Sequence, residues 1–365
     1  MRVLHISPTY FDRASTIGGA ERYVWELARA QARVVDVTLL TFGRTAEAGE
    51  RDGVHVERLR QWPLLDHPLA ANPLRWRLLA AIRRADVVHC HQANTFVTNA
   101  GVLAGRLLGR PVFVTDFGGG HRWTPSAYVP LMRLATGFLL LSNYSRQLWV
   151  NAPRASRPDR LEVMYGGVDT TAFCPGGRKD PHLVVFVGRL VPHKGIEYLI
   201  DAIAPPLTLR IVGQPYDQAY TAMLRDRARD KPVVFEHDVD DAGVVARLQS
   251  ALAAVLPSVS AVWHGGTTQV AELFGLAAVE AMACGTPAIV SRTGSLPELV
   301  DDGTTGCIVP PADVPALRER LLELHARPDA AAEMGRRARA AVLERFTWDA
   351  TAARSLDAYR RTHAA

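Results

Sequence analysis

Apolar positions along this chain follow two alternating rhythms. Short runs in which nearly every position is apolar fall at 3–7, 34–41, 86–90, 111–115 and 138–142, and again at 184–188, 207–213, 233–236 and 253–257. Runs of that length, rich in β-branched residues, predict buried strands. Between them, apolar residues recur every three or four positions, as at Ala20, Val24, Leu27 and Ala28, or at Ile196, Leu199, Ile200 and Ile203. That spacing predicts amphipathic helices. Regular alternation of strand, loop and helix is the mark of a parallel α/β sheet covered on both faces. The alternation is interrupted at 174–181, where Pro175, Gly176, Gly177 and Pro181 predict a linker between two α/β halves. Trp348, Ala352 and Leu356 share one face of a closing helix over 347–361.

In parallel sheets, the loops at the carboxyl ends of strands present ligand groups. Two such loops carry chemistry here. The first is ELFGLAAVEAMACGTP at 272–287. Gly275 opens a tight turn, and the apolar stretch from Leu276 predicts a short helix. A helix start offers unpaired amides and the positive end of a dipole, an anion site for which phosphate is the usual occupant. Glu280, about one turn in, suits a ribose diol, because an ionised carboxylate accepts two hydroxyl hydrogen bonds. Glu272, ahead of the helix, lies where a sugar would sit, beside Phe274. The second loop, RLVPHKG, carries Arg189 and Lys194. Two fixed cations neutralise a departing diphosphate without a metal ion. Gly18-Gly19, ahead of the first helix, has the form of a phosphate-approach turn, although glycine pairs open many helices. Asp238-Val239-Asp240 has the D-x-D form that binds metal–diphosphate in another fold, but its place before a helix near Asp241 reads as a cap and turn.

Together, FVGRLVPHKGIEYLIDAI and ELFGLAAVEAMACGTPAIV resemble the donor site of glycosyltransferase family 4. Glu272 and Glu280 match both ends of that family's E-x7-E signature, and Arg189 and Lys194 match its basic pair. YGGVDTTAF at 165–173 and LPELVDDGTTGCIVPPAD at 296–313 extend the likeness over nearly the whole chain. The resemblance implies a GT-B fold, with two Rossmann-like parallel-sheet domains facing across a cleft. It gives 1–177 to the acceptor, with a C-terminal helix over 347–365 packing back on that domain, and 178–346 to the nucleotide-sugar. It implies retaining transfer of a hexose-type sugar from a UDP- or GDP-sugar, with no cofactor and no metal. Gly19, Phe274, Gly275 and Leu276 join the four charged residues in the donor set. The family places a histidine in a T-x-H-G pattern after the strand at 111–115. Phe117 occupies that place here, and His121 follows three glycines later. His121 or Asp116 is expected to take the role near the reacting sugar. The segment between Ser258 and Glu272 is longer than the family's and sets His264 beside the donor sugar, or is a plain surface loop. A nucleotide-sugar epimerase on the same fold and a non-catalytic binder are the alternatives. A dehydrogenase would need a clean G-x-G-x-x-G followed by a ribose acid.

Composition narrows this further. The 365 residues, 48% hydrophobic and 22% charged, fit two ordinary soluble domains. The four cysteines show neither paired nor metal-type spacing and read as reduced, in a cytoplasmic chain. No signal peptide is read at MRVLHISPTYF. The formal charge of +5 is carried mostly by arginine, without the aromatic–basic interleaving of nucleic-acid binders. Leu74, Leu78, Ala81 and Ile82, flanked by Arg75, Arg77, Arg83 and Arg84, fit either a solvated amphipathic helix or one touching the inner membrane face. The acceptor stays open between a cell-surface glycan or lipid and a small metabolite such as an aminocyclitol, and the oligomeric state is not readable.

Overall fold

The computed structural model describes residues 1–8, 19–43, 45–60, 75–118, 125–152, 158–260 and 272–363. The chain divides into two compact units, Met1–Gly166 with Trp348–Ala365, and Gly167–Thr347.

The first unit is built on eight strands: β1 (Arg2–Ile6), β2 (Asp36–Gly43), β3 (Glu47–Arg51), β4 (Val54–Arg60), β5 (Val87–His91), β6 (Val112–Thr115), β7 (Gly137–Leu140) and β8 (Leu161–Val163). They lie in the order β3-β4-β2-β1-β5-β6-β7-β8, parallel except for β3 against β4. That pair is a two-residue hairpin whose Asp52 and Gly53 both have positive φ, the geometry of a tight Asp-Gly turn. One face of the sheet carries α1 (Gly19–Ala32) and the closing helix (Trp348–His363). The other carries α2 (Leu78–Arg84), α3 (Phe96–Leu107), a 3₁₀ turn at Leu131–Leu134 and α4 (Asn143–Asn151). Ile82, Val97, Val102 and Met132 join Ile6, Val88 and Phe138 in one core on that side. Right-handed crossovers put these segments on a common face, because the chain steps in one direction from β5 to β8. The apolar positions Leu78, Ala81 and Ile82 are therefore core while Arg77, Arg83 and Arg84 are exposed, as the solvated amphipathic reading of that helix expects. Leu74 lies outside the described residues.

The second unit has six parallel strands: β9 (Asp180–Val187), β10 (Thr208–Val212), β11 (Val233–Glu236), β12 (Ala251–Leu256), β13 (Ala288–Ser291) and β14 (Gly306–Val309). Their order is β11-β10-β9-β12-β13-β14. The helices are α5 (Ile196–Ala202), α6 (Gln218–Arg227), α7 (Asp241–Ser250), α8 (Leu276–Ala283), α9 (Val314–Ala326) and α10 (Pro328–Arg345). Residues 167–177 pack with this unit. The Arg339 guanidinium gathers the carbonyls of Thr170 at 2.9 Å, Phe173 at 2.7 Å and Ala283 at 2.8 Å, and Gln249 donates to the Cys174 carbonyl at 2.8 Å. A guanidinium with three carbonyl acceptors ties the segment more firmly than the prolines and glycines beyond it suggest.

Candidate functional site

Each sheet reverses its direction of growth at one place. In the second unit the chain runs β9, β10, β11 outward, then returns to lay β12 on the other side of β9. Ligands of such sheets bind outside the carboxyl ends at this switch point. Arg189 and Lys194 stand on the loop leaving β9. Ser258 and Glu272 stand on the chain leaving β12, with 261–271 between them outside the described residues. The two loops are stitched together by the Val259 amide, which donates to the His193 carbonyl at 2.9 Å.

The loop after β9 closes in a 3₁₀ turn at Pro192–Lys194, ended by Gly195 at φ +62°. A Cβ there would lie 2.3 Å from the Pro257 carbonyl oxygen, so only glycine allows the two strand ends to meet. Lys194 reaches Glu272 in a close ion pair, and the Ser258 hydroxyl donates to the same carboxylate oxygen at 3.0 Å. The Ser295 amide and hydroxyl fix the Glu272 carbonyl at 2.9 and 3.0 Å. Burial pushes the Glu272 carboxyl up, but the Lys194 charge and the hydrogen bonds from Lys194 and Ser258 outweigh it and hold the group below its ordinary range. His193 is lowered too: burial and then the Lys194 charge bring its imidazole down to about 4, so it is neutral at pH 7. Arg189 is exposed, with its guanidinium 5.3 Å from the Tyr216 ring centroid.

Gly275 takes φ +93° and starts α8 with no side-chain cap. The positive end of that helix is thus left for another partner. Phe274 is buried, edge-on to Phe346 at 5.9 Å. Glu280 is buried one turn into α8 among alanines. Asp240 caps α7, accepting from the Gly243 amide at 2.8 Å, and Asp238 accepts from Gln214 at 2.7 Å. The D-x-D segment is a cap and turn, as its position before a helix suggests.

In the first unit the switch lies between β1 and β5, and the residues there are three buried histidines. His5, His89 and His91 form the grouping among the described residues whose ligand atoms come within reach of one metal ion. Hydrogen bonding accounts for their nitrogens differently. Ser355 donates to the Ala352 carbonyl, so it accepts from Gln31 Nε2 at 2.7 Å. The Gln31 oxygen then faces His5 Nε2 at 2.8 Å, which must donate. His5 Nδ1 is left as an acceptor and takes the proton of His91 Nε2 at 2.8 Å. Thr115 donates to the Leu139 carbonyl, so His89 Nε2 donates to Thr115 at 2.8 Å and its Nδ1 accepts from the Tyr359 hydroxyl at 2.7 Å. Every tautomer is forced, and the lone pairs of His5 and His89 are spent. Only His91 Nδ1 has no partner. The seam pins the closing helix, through Ser355 and Tyr359, to β1 and β5.

Gly19 is the first residue of α1. Asp116 follows β6 and turns inward, accepting from the Ala93 amide at 3.2 Å; burial raises its carboxyl to about 6. Phe117 stacks on His91 with ring centroids 6.1 Å apart and meets Tyr23 edge-on at 5.2 Å. His121 and His264 lie outside the described residues. Sequence reading missed Ser258 and Ser295, which brace Glu272, and the histidine seam. A serine directly after a buried strand end, and two histidines alternating within VVHCH, were the available signals.

Two family models match in tandem: "Glycosyltransferase Family 4" over residues 17–172 and "Glycosyl transferases group 1" over 170–341. The chain is 27% identical to an alpha-maltose-1-phosphate synthase of Mycolicibacterium smegmatis, over 95% of this chain and 96% of that protein. It is 32% identical to a GDP-mannose-dependent alpha-(1-6)-phosphatidylinositol monomannoside mannosyltransferase of the same species, over 70% and 71%. Among solved structures, Anabaena Alr3699/HepE in complex with UDP and glucose superposes with a TM-score of 0.73 at 18% identity, covering 98% of each chain. Sucrose-phosphate synthase from Thermosynechococcus elongatus gives 0.76 at 22%, covering 100% and 99%. These likenesses establish the GT-B fold, and the sequence matches establish the activity class. The chain belongs to glycosyltransferase family 4 and is a nucleotide-sugar-dependent glycosyltransferase.

Proposed function

We propose that this protein transfers a hexose unit from a UDP- or GDP-sugar to an acceptor hydroxyl with retention of configuration, without a metal ion, on the cytoplasmic side. The observation that carries the reading is the Lys194–Glu272 pair at the β9–β12 switch point, beside the uncapped start of α8. The Lys194 ammonium has three donors, so it can hold Glu272 and a phosphate oxygen together. Arg189, one loop turn away, and the first amides of α8 supply the remaining stabilisation of the departing diphosphate, the largest charge change in the reaction. Glu280 takes the ribose diol. Glu272, held ionised, orients donor-sugar hydroxyls. The acceptor attacks the face the diphosphate leaves, and a departing phosphate oxygen takes its proton. Relatives that use GDP-mannose or were solved with UDP support a nucleoside diphosphate donor. No observation favours the epimerase reading.

The test is a panel of UDP- and GDP-sugars, read by thermal midpoint and by nucleotide release, with and without EDTA. One donor should raise the midpoint by several degrees, and release should persist under chelation. If no nucleotide stabilises the protein, the donor site is misassigned. If EDTA abolishes release and Mn²⁺ or Mg²⁺ restores it, the metal-free reading fails.

A second expectation concerns the loop after β6. His121 is proposed to approach the reacting sugar in place of the histidine that Phe117 displaces. His121→Ala should cost about tenfold or more in turnover with nucleotide affinity little changed. Asp116→Asn, at a carboxyl that accepts from the Ala93 amide, should lower stability more than turnover. A silent His121→Ala beside an inactive Asp116→Asn would hand the role to the carboxylate.

A further inference from the structure

One face of the first unit is unlike the rest of the molecular surface. Its helical segments α2, α3, the turn at Leu131–Leu134 and α4 contain no aspartate or glutamate. Every other α-helix among the described residues carries at least one carboxylate. From 75 to 151 the sequence has nine arginines and two acids, Asp86 and Asp116. Neither acid opposes them outward: Asp86 is ion-paired with Arg2 at 2.7 Å, and Asp116 is buried. Arg77, Arg83, Arg106, Arg133 and Arg146 are all exposed.

The same face also exposes large apolar side chains. Their inward neighbours Ile82, Val97, Val102 and Met132 fill the core, so the helices already have a buried side, and these residues lie on the other. Trp76 is 73% exposed and Leu107 77%; Leu79, Leu103, Leu134 and Leu148 are exposed as well. The Arg110 guanidinium donates to the Arg83 carbonyl at 3.0 Å, which sets the end of α3 beside the end of α2. Apolar groups this numerous on one face mark an interaction surface rather than scattered exposure.

We infer that this face docks on an anionic lipid bilayer. A bilayer surface satisfies both features at once: tryptophan and leucine enter the headgroup–acyl boundary, and guanidinium groups pair with phosphates while their stems stay apolar. Each arginine near an anionic surface adds a modest attraction, so several on one face give appreciable binding, and added salt weakens it. An acidic protein would match the charges but leaves no reason for Trp76 and Leu107 to be bare. No helix among the described residues is long and apolar enough to cross a membrane, so the contact is peripheral. The inference is independent of the donor-site reading, because none of these residues belongs to that site.

The test is flotation of the full chain with phosphatidylcholine vesicles and with vesicles containing phosphatidylglycerol. The protein should float only with the anionic vesicles, and less at high salt. Arg77→Glu with Arg83→Glu should lower partition about tenfold or more, and Trp76→Ser with Leu107→Ser by a similar factor. The thermal midpoint with and without UDP checks that each variant is folded. Failure to float with anionic vesicles overturns the inference. So does flotation that the serine pair leaves unchanged, since plain charge attraction would then explain the face; retention on heparin, which reads charge alone, should be equal for wild type and that pair.

Discussion

Lys194→Ala lowers turnover by about a hundredfold or more, roughly 3 kcal/mol of transition-state stabilisation, and Arg189→Ala does nearly the same. Each removes a fixed positive charge facing the departing diphosphate. The two variants should differ in what else they disturb. Arg189 is exposed and leans on Tyr216, so its loss leaves no buried group unpaired and the thermal midpoint stays put. Lys194 is the main partner that keeps Glu272 ionised against the pull of burial. Without it the Glu272 carboxyl rises above its ordinary range, and residual activity should climb with pH where wild type is flat. Turnover at saturating donor across pH 5 to 8 separates the two. Rates for either variant within threefold of wild type would sink the donor-site assignment. A flat pH profile for Lys194→Ala would show that Glu272 does not depend on this pair.

The parts of this site that could be read from sequence were those whose partners are close in the chain. Glu272, Gly275 and Glu280 lie on one turn and one helix, so their spacing alone was enough to suggest a phosphate and ribose site. Arg189 and Lys194 were legible because they sit on a loop between an apolar run and a periodic helix. The brace on Glu272 was not legible, since Ser258 and Ser295 come from other loops and meet it only once β12 and β13 lie side by side. The β3–β4 hairpin was missed because β3 is exposed along its whole length and offers no alternation, although Asp52-Gly53 was a turn signal. Helix α3 was missed too. Its Thr95 cap, which accepts from the Thr98 amide at 3.3 Å, precedes a weakly patterned run of small residues. The histidines of VVHCH looked like strand residues because a strand they are. What makes them a unit is Gln31 from α1 and Tyr359 from the closing helix, hundreds of positions apart.

That seam makes the first unit sensitive to acid. His5, His89 and His91 are fully buried and neutral, each with its one proton committed in a fixed direction. Burial lowers His5 to about 4 and holds His89 and His91 well below 6.5, the latter two also through the neighbouring imidazoles. The unfolded chain binds these protons near pH 6.5 while the folded chain refuses them. Stability is therefore complete above pH 6.5 and is lost as pH falls toward the folded values. For His5 alone the loss amounts to about 3 kcal/mol, and the other two act in the same direction. Asp116 works against them. Its carboxyl is raised to about 6 by burial, so the folded state gains a proton there between pH 6 and 4 and offsets one histidine of the three. Between pH 6.5 and 6 the histidines act unopposed. Urea midpoints of the full chain should thus fall steadily from pH 7 to 5, with loss of the closing helix from β1 and β5 as the structural event. His91→Phe removes one titrating ring and the unpartnered nitrogen, keeps a stacking surface for Phe117, and should flatten the slope by about one proton. Tyr359→Phe removes the donor to His89 and an acceptor for Gln31 Nε2 at 3.3 Å but no titrating ring, so it should lower stability by about 1 to 2 kcal/mol and change the slope far less than His91→Phe does. A midpoint that stays level from pH 7 to 5, or a slope that His91→Phe does not change, would show that the three imidazoles do not stand neutral in the fold.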